Sequence, residues 1–178
     1  MKNAVAFIGD SITVGLATSN AAEKSENFGM DGDTIDGLLL RIPRYRLTGA
    51  RAIVVEIGIN NYKKDKLKNF GTKYDQLLRL LPQTTPVIAM AIMPVNKHAD
   101  WIFPSTEASE AIRTTNRDVA ATCKRFPNCR FLDLTSVLSD EVGDLQFKYE
   151  EGDGIHPTAL AYEIWTEALR PLIPKAMY

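Results

Sequence analysis

Ala4-Val-Ala-Phe-Ile8 is an unbroken apolar run that stops at Gly9-Asp-Ser-Ile12. Such a run is typical of a strand in a parallel sheet that is covered on both faces. Similar runs recur further along the chain, at 51–57, 86–92 and 129–134, and a weaker β-rich stretch spans 26–30. The apolar run and its abrupt end in glycine, aspartate and serine therefore predict the first strand of a parallel sheet.

Stretches with helical spacing of apolar residues separate these runs, at 33–47, 74–81, 105–126 and 157–173. Asp33 or Thr34 is placed to cap the first of them, and Pro157 suits the first position of the last. The alternation of strands and helices predicts an α/β domain with a parallel sheet. No linker or repeat divides the chain, so we expect one domain over residues 1–178.

Composition narrows the range of partners. The 178 residues carry a formal net charge of −1, which gives no electrostatic footprint for nucleic acid. No apolar stretch approaches the roughly 18 residues that a membrane helix needs, so we expect no membrane insertion. A cytoplasmic location is the default expectation, with export by another route or a trimmed leader left open. The partner is expected to be a small molecule, and the oligomeric state is left open.

Cys123 and Cys129 are the only cysteines. Two cysteines do not make a disulfide framework, and two free or buried thiols are expected. A bridge between them is geometrically possible and stays open.

Ser11 follows the first strand directly, on a turn that Gly9 makes easier. A serine at the carboxyl edge of a sheet is placed for nucleophilic chemistry. The same residues could instead cap a helix or hold a phosphate group. The surroundings do not match the G-x-S-x-G elbow, because Thr13 stands where that motif has its second glycine.

A serine nucleophile needs a base that works near neutral pH, and histidine suits that role. The chain has only two histidines, and His156 is the better candidate because Asp153 lies three residues before it. That spacing lets a carboxylate orient the imidazole through a turn at Gly154. The alternative is a helix start with an acidic residue at its positive end. His98 has only Asp100 at comparable spacing.

Two further segments could stabilise the oxyanion that ester hydrolysis forms. Asn60 follows the strand at 51–57 and could donate through its side-chain amide, with Gly58 allowing close approach of the backbone. Gly32 precedes the helix at 33–47, and its backbone N–H could be a second donor, as could that of Ser11. An ordinary asparagine-rich turn and a glycine with an unusual φ remain the alternatives.

The long segment 93–104 follows a strand, at the edge of the sheet where α/β proteins bind ligands. Trp101 and Phe103 in this segment could form a wall of the substrate site. They could equally fill the edge of the core.

Four segments together resemble the signature blocks of the SGNH hydrolases, also called GDSL-type esterases and lipases. The blocks are Gly9-Asp-Ser-Ile12, Gly32 within Gly-Asp-Thr, Gly58-Ile-Asn-Asn61 and Asp153-Gly-Ile-His156. The resemblance extends from residue 4 to about 170, and Asn116 and Asp133 also stand where this family often has them.

The resemblance implies that Ser11 is the nucleophile, His156 the base and Asp153 its orienting acid. It also implies an oxyanion hole made by the Ser11 N–H, Gly32 and Asn60. The implied fold is a flavodoxin-like three-layer α/β/α sandwich around a five-stranded parallel sheet, with no metal or organic cofactor.

One departure from the family pattern bears on the substrate. Many members have aspartate after the oxyanion asparagine, whereas Asn61 stands here. The Asn-Asn version resembles the platelet-activating-factor acetylhydrolase-like and carbohydrate acetylesterase branches, which favours a short acyl group such as acetyl, on a carbohydrate or other small-molecule ester. Asp10, Asn61, Trp101 and Phe103 are weaker candidates for substrate contact.

Three other functions remain as alternatives. A thioesterase or lysophospholipase would act on longer acyl chains and would need an extended apolar groove. A non-catalytic sugar-binding module would keep the fold without turnover, although it would not need Ser11, Asp153 and His156 together. A nucleotide- or flavin-binding protein would need more glycines and a basic partner than Gly9-Asp-Ser offers.

Overall fold

The computed structural model describes residues 1–65, 67–96, 99 and 105–176, and the side chains of Ser105 and Thr106 are not among the features described. Its five strands form one parallel sheet in the order β2-β1-β3-β4-β5. The strands are β1 (Val5–Gly9), β2 (Ser25–Gly29), β3 (Ala52–Glu56), β4 (Val87–Met90) and β5 (Cys129–Leu132). This order is that of flavodoxin-like folds. All five strands expected from the sequence are present.

Eight α-helices accompany these strands in the described ranges. They are α1 (Ser11–Gly15), α2 (Thr18–Ala21), α3 (Ile35–Arg41), α4 (Ile59–Asp65), α5 (Phe70–Leu80), α6 (Ser105–Cys123), α7 (Thr135–Leu138) and α8 (Ala159–Leu169). Short 3₁₀ turns span Ile42–Arg44, Phe147–Tyr149 and Arg170–Leu172. None of the helices described is both long and apolar enough to cross a membrane.

Helices cover the sheet as a three-layer α/β/α sandwich. The α5 helix packs beside α3 and α6, and α2 packs beside α8. Every residue of β1, β3 and β4 is buried, whereas the edge strands β2 and β5 are partly exposed. This difference explains why the three central strands are nearly continuous apolar runs and why the strand at 25–29 is weak in sequence.

Two helix starts test the expected caps. Thr34 caps α3, since its hydroxyl accepts the N–H of Gly37 at 3.3 Å. The expectation for Pro157 is wrong. The cap of α8 is Thr158, whose hydroxyl accepts the N–H of Ala161 at 3.4 Å. Pro157 lies before the cap and forms an isolated bridge with Glu150, because the chain there still belongs to the preceding loop.

The expectation of two thiols is also wrong. Cys123 and Cys129 form a disulfide that joins the end of α6 to the start of β5. The tight turn between the two elements brings their Cα atoms to 5.3 Å, within the usual range for a bridge.

Candidate active site

Ser11 is the first residue of α1 and lies at the carboxyl edge of the sheet. The Asp10 side chain caps this helix, because its Oδ1 accepts the backbone N–H of Ile12 at 3.0 Å. The turn is tight. A Cβ on Gly9 would lie 1.9 Å from the carbonyl oxygen of Glu56 on the neighbouring strand. Glycine is therefore required where β1 passes into the turn that carries Ser11.

The structure brings Ser11, His156 and Asp153 together, although 145 residues separate the first two. Ser11 Oγ lies 2.9 Å from His156 Nε2, and His156 Nδ1 lies 2.5 Å from Asp153 Oδ2. A carboxylate can only accept hydrogen bonds, so the imidazole proton belongs on Nδ1. His156 Nε2 is then left to accept the hydrogen bond that the Ser11 hydroxyl donates.

Asp153 is held on both of its oxygens. Its Oδ1 accepts the backbone N–H groups of Ile155 and His156, each at 2.9 Å. Burial raises the pKa of this carboxyl, but the hydrogen bonds from His156 and Ile155 outweigh burial and lower the pKa below its ordinary value. Asp153 is therefore ionised at neutral pH and can stabilise a positive charge on His156.

The loop that carries Asp153 and His156 is organised by Glu150, which sequence reasoning missed. Glu150 is buried, and its Oε2 accepts the backbone N–H groups of Gly152 at 2.5 Å and Gly154 at 3.0 Å. The N–H of Asn96, after β4, donates to the carbonyl oxygen of Gly154 at 2.8 Å. The sequence signal for this role was an acidic residue two positions before Gly152, since backbone N–H groups that become buried need an acceptor.

The structure links Asn60 to the loop that contains Gly32. Asn60 Nδ2 donates to the carbonyl oxygen of Asp33 at 3.0 Å. Gly32 has a φ of +70°, in a turn closed by the Asp33 N–H on the Met30 carbonyl at 3.1 Å. The N–H of Met30 in turn donates to the Gly9 carbonyl at 3.0 Å. Three loops from three strand ends are thus tied together beside Ser11.

Two of the other candidates for substrate contact, Asp10 and Asn61, are not brought to this surface. Asp10 and Asn61 are fully buried, and Asn61 Oδ1 accepts the N–H of Ile35 at 2.7 Å at the start of α3. Both side chains therefore have structural positions, at odds with the expectation that they touch a substrate. Trp101 and Phe103 lie outside the described residues.

Asn116 and Asp133 also hold the backbone rather than face a ligand. The buried Asn116 amide accepts the N–H of Ile92 at 2.8 Å and donates to its carbonyl at 2.9 Å. Asp133 Oδ1 accepts the N–H of Thr135 at 2.9 Å at the start of α7. They fix the chain where β4 and β5 end. In the ranges described, no cluster of three or more His, Cys, Asp or Glu side chains has the arrangement of a metal site.

The family model of the GDSL-like lipase/acylhydrolases matches residues 7–164. The chain belongs to this family. The match spans Ser11, Gly32, Asn60, Asp153 and His156, and family membership makes the chain a hydrolase of the esterase and acylhydrolase type. No curated protein sequence matches the chain.

Solved structures share the fold of this family member at low sequence identity. A Streptococcus pneumonia protein named for platelet activating factor is 20% identical with a TM-score of 0.86, over 98% of this chain and 85% of the other. A lipase/acylhydrolase from Enterococcus faecalis is 19% identical with a TM-score of 0.76, over 95% and 94%. A catalytic mutant of an acetylxylan esterase from Geobacillus stearothermophilus is 17% identical with a TM-score of 0.63, over 98% and 96%.

Proposed function

We propose that the protein is a serine esterase in which Ser11 attacks the carbonyl carbon of a short-chain ester. The observation that carries this proposal is the 2.9 Å contact between Ser11 Oγ and His156 Nε2, with Asp153 on the opposite ring nitrogen. This is the geometry of an activated nucleophile, its base and the group that orients the base.

The reaction has two half-reactions. As Ser11 Oγ bonds to the carbonyl carbon, its proton passes to His156 Nε2. The bond between that carbon and the alcohol oxygen then breaks, and the leaving alcohol takes the proton from Nε2. Water next attacks the acyl group on Ser11 and gives a proton to His156. Collapse of this second intermediate releases the acid and returns the proton to Ser11 Oγ.

We assign the oxyanion hole to the backbone N–H groups of Ser11 and Gly32 and to Asn60 Nδ2. The hydrogen bonds that tie the Gly32 loop to Asn60 and to Gly9 support this assignment, because they keep the candidate donors at one edge of the sheet. Donors held in place before the reaction cost no reorganisation when the charge forms.

We propose that the acyl group is acetyl and that the alcohol is a carbohydrate. The Asn60-Asn61 pair supports the short acyl group, and so does the name of the Geobacillus acetylxylan esterase that shares the fold. The side chains of His156 and Asp153 are 43% and 46% exposed. A site this open has room for a bulky alcohol such as a sugar.

The test is hydrolysis of p-nitrophenyl acetate, butyrate and octanoate by wild-type protein, with Ser11→Ala beside it. Ser19→Ala is the matched control, because Ser19 is an exposed serine on the nearby α2. We expect turnover to fall with chain length and to vanish only in Ser11→Ala. Release of acetate from acetylated xylan oligosaccharides then tests the alcohol.

Two results would contradict the proposal. Turnover that peaks at octanoate would favour a thioesterase or lysophospholipase. Equal turnover in Ser11→Ala and wild type would remove Ser11 from catalysis, and turnover no faster than the uncatalysed reaction in both proteins would favour a non-catalytic sugar-binding module.

A further inference from the structure

Two carboxyl groups are buried together next to the Ser11 turn. Asp10 follows β1, and Glu56 is the last residue of β3, at the register position opposite Gly9. Asp10 is 0% exposed and Glu56 is 1% exposed. Neither takes part in the proposed reaction. Burying two ionised carboxylates side by side would be very costly, so their protonation needs an explanation.

The hydrogen bonds around the pair leave a gap that one proton fills. In the described parts of the chain, no N–H or O–H group outside the pair donates to Asp10 Oδ2 or to either carboxyl oxygen of Glu56. The two carboxyl groups lie next to each other, since Glu56 is opposite the residue before Asp10, and a hydrogen bond between them would fill this gap. Two carboxylates cannot bond in this way, because both can only accept. A contact between them requires a proton on one of the two.

The surrounding backbone shows which carboxyl holds the proton. The Asp10 carboxylate accepts the N–H of Ile12 at 3.0 Å and also interacts with the N–H of Gly58. These donors stabilise a negative charge on Asp10. No donor from outside the pair reaches either carboxyl oxygen of Glu56 in the described parts of the chain. Glu56 is therefore the acid that donates, and Asp10 the carboxylate that accepts.

The charges near the pair favour the same assignment. Burial raises the pKa of Glu56 well above its ordinary value, and the Asp10 charge raises it further. Titratable groups also face the pair from other elements: Asp33 before α3, Tyr74 on α5 and Tyr162 on α8. Asp33 adds negative charge although Arg41 pairs with it, and burial raises the pKa of both tyrosines, which keeps them neutral.

We propose that Glu56 is a positioning residue whose proton bridges to Asp10 and thereby fixes the turns that carry Ser11 and Asn60. Asp10 is the link, since it caps α1 at Ile12 and also holds Gly58, two residues before Asn60. The effect on catalysis rests on the proposed function, whereas the protonation of Glu56 does not.

The first experiment measures the proton without reference to activity. The infrared difference spectrum of wild type minus Glu56→Gln at pH 7 is expected to contain the carbonyl stretch of a protonated carboxylic acid. The same band is expected with Ser11→Ala as the parent protein. Absence of the band, or its appearance only when Asp10→Asn is subtracted, would overturn the assignment. Because Ser11→Ala keeps the pair, failure of the esterase proposal leaves this test intact.

The second experiment measures positioning. Glu56→Leu cannot donate, and we expect kcat to fall roughly 10-fold or more, since the lost hydrogen bond is to a charged group. Glu56→Gln keeps a donor and is expected to recover most of that loss. At alkaline pH, wild type is expected to lose activity as the shared proton leaves, a step that Glu56→Gln lacks. Two results would overturn the positioning role. One is an equal kcat in Glu56→Leu and Glu56→Gln, and the other is the same loss of activity at alkaline pH in wild type and Glu56→Gln.

Discussion

The Tyr162 hydroxyl donates a 2.8 Å hydrogen bond to the carbonyl oxygen of Ile12. This bond joins α8, near the end of the chain, to the helix that begins with Ser11. The contact is close, because a Cβ on Gly15 would lie 2.5 Å from the same hydroxyl oxygen. Asp10 and Tyr162 thus both hold the nucleophile's helix at Ile12, Asp10 through the Ile12 N–H and Tyr162 through the Ile12 carbonyl oxygen.

Tyr162→Phe is expected to lower the free energy of unfolding by about 1 kcal/mol, the usual net value of one hydrogen bond. The matched control is Tyr74→Phe. The Tyr74 hydroxyl is buried without a hydrogen-bond partner in the part of the chain described, so its removal should cost nothing. Urea denaturation of the two variants makes the comparison. Equal losses would show that the bond to Ile12 does not brace the helix.

Asn60→Ala is expected to lower kcat roughly 10²–10³-fold, because the proposed oxyanion hole loses one of its donors. Asn20→Ala, at an exposed position on α2, controls for asparagine loss in general. Steady-state kinetics on p-nitrophenyl acetate gives kcat, and thermal melting checks the fold. An unchanged kcat in Asn60→Ala would remove this residue from the hole.

Gly154→Ala and Gly152→Ala form a pair that separates backbone strain from crowding. Both glycines have a positive φ, +78° and +98°, so alanine is strained at each. Only at position 154 would the new Cβ collide, at 2.5 Å from the backbone nitrogen of Ala99, whereas nothing lies within 4 Å at position 152. We expect a much larger loss of kcat for Gly154→Ala, because the collision would displace the loop that holds Asp153 and His156. Similar kcat values would mean that contact with Ala99 does not position the loop.

Reduction of the disulfide is expected to lower the melting temperature without loss of activity in the cold. Closing so short a loop contributes about 2 kcal/mol, which corresponds to roughly 5 °C for a domain of this size. Cys129 begins β5, at the edge of the sheet opposite Ser11, so the active-site geometry should not change. Melting curves with and without dithiothreitol test this, with Cys123→Ala/Cys129→Ala as the variant that should not respond. Disulfides persist mainly in oxidising compartments, which argues against the cytoplasmic location expected by default.

Stability should depend on pH with opposite signs at two carboxyl groups. Burial raises the pKa of Asp10 from 3.8 to about 6, so native protein keeps a proton that the unfolded chain has released. The stability that this retained proton contributes is fully present below pH 3.8 and is lost as the pH rises through 6. Between pH 3.8 and 6, the free energy of unfolding of wild type should therefore fall relative to that of Asp10→Asn.

Asp75 is the control of opposite sign. Hydrogen bonding to Arg79 lowers its pKa below 3.8, so its contribution is present above that pH and is lost as pH falls further. Urea denaturation at several pH values, with Asp10→Asn and Asp75→Asn, measures both differences. A wild-type advantage over Asp10→Asn that grew between pH 4 and 6 would contradict the raised pKa of Asp10.

The sequence predicted the sheet and the meeting of Ser11, Asp153 and His156 because these depend on local signals. Apolar runs identify buried strands, and parallel strands bring their carboxyl ends to one edge. The oxyanion roles of Gly32 and Asn60 stay predictions. Other features depend on three-dimensional neighbours that a sequence does not show.

Asn60 and Asn61 illustrate that limit. Successive residues on a helix point about 100° apart, so one asparagine of α4 reaches the Asp33 loop while the next points into the protein. Only the packing of α4 decides which is which. Glu150 was missed for a similar reason, since its acceptor role appears only when the loop folds back over it.

The separation of Ser11 from His156 by 145 residues has a consequence for biosynthesis. Because synthesis runs from the N-terminus, a nascent chain contains Ser11 well before His156, 145 positions later, is added. Under the proposed mechanism, a partly made or C-terminally clipped chain would hold an unactivated alcohol and could not attack cellular esters. A serine-directed fluorophosphonate label would therefore count the molecules that contain His156 folded against Ser11.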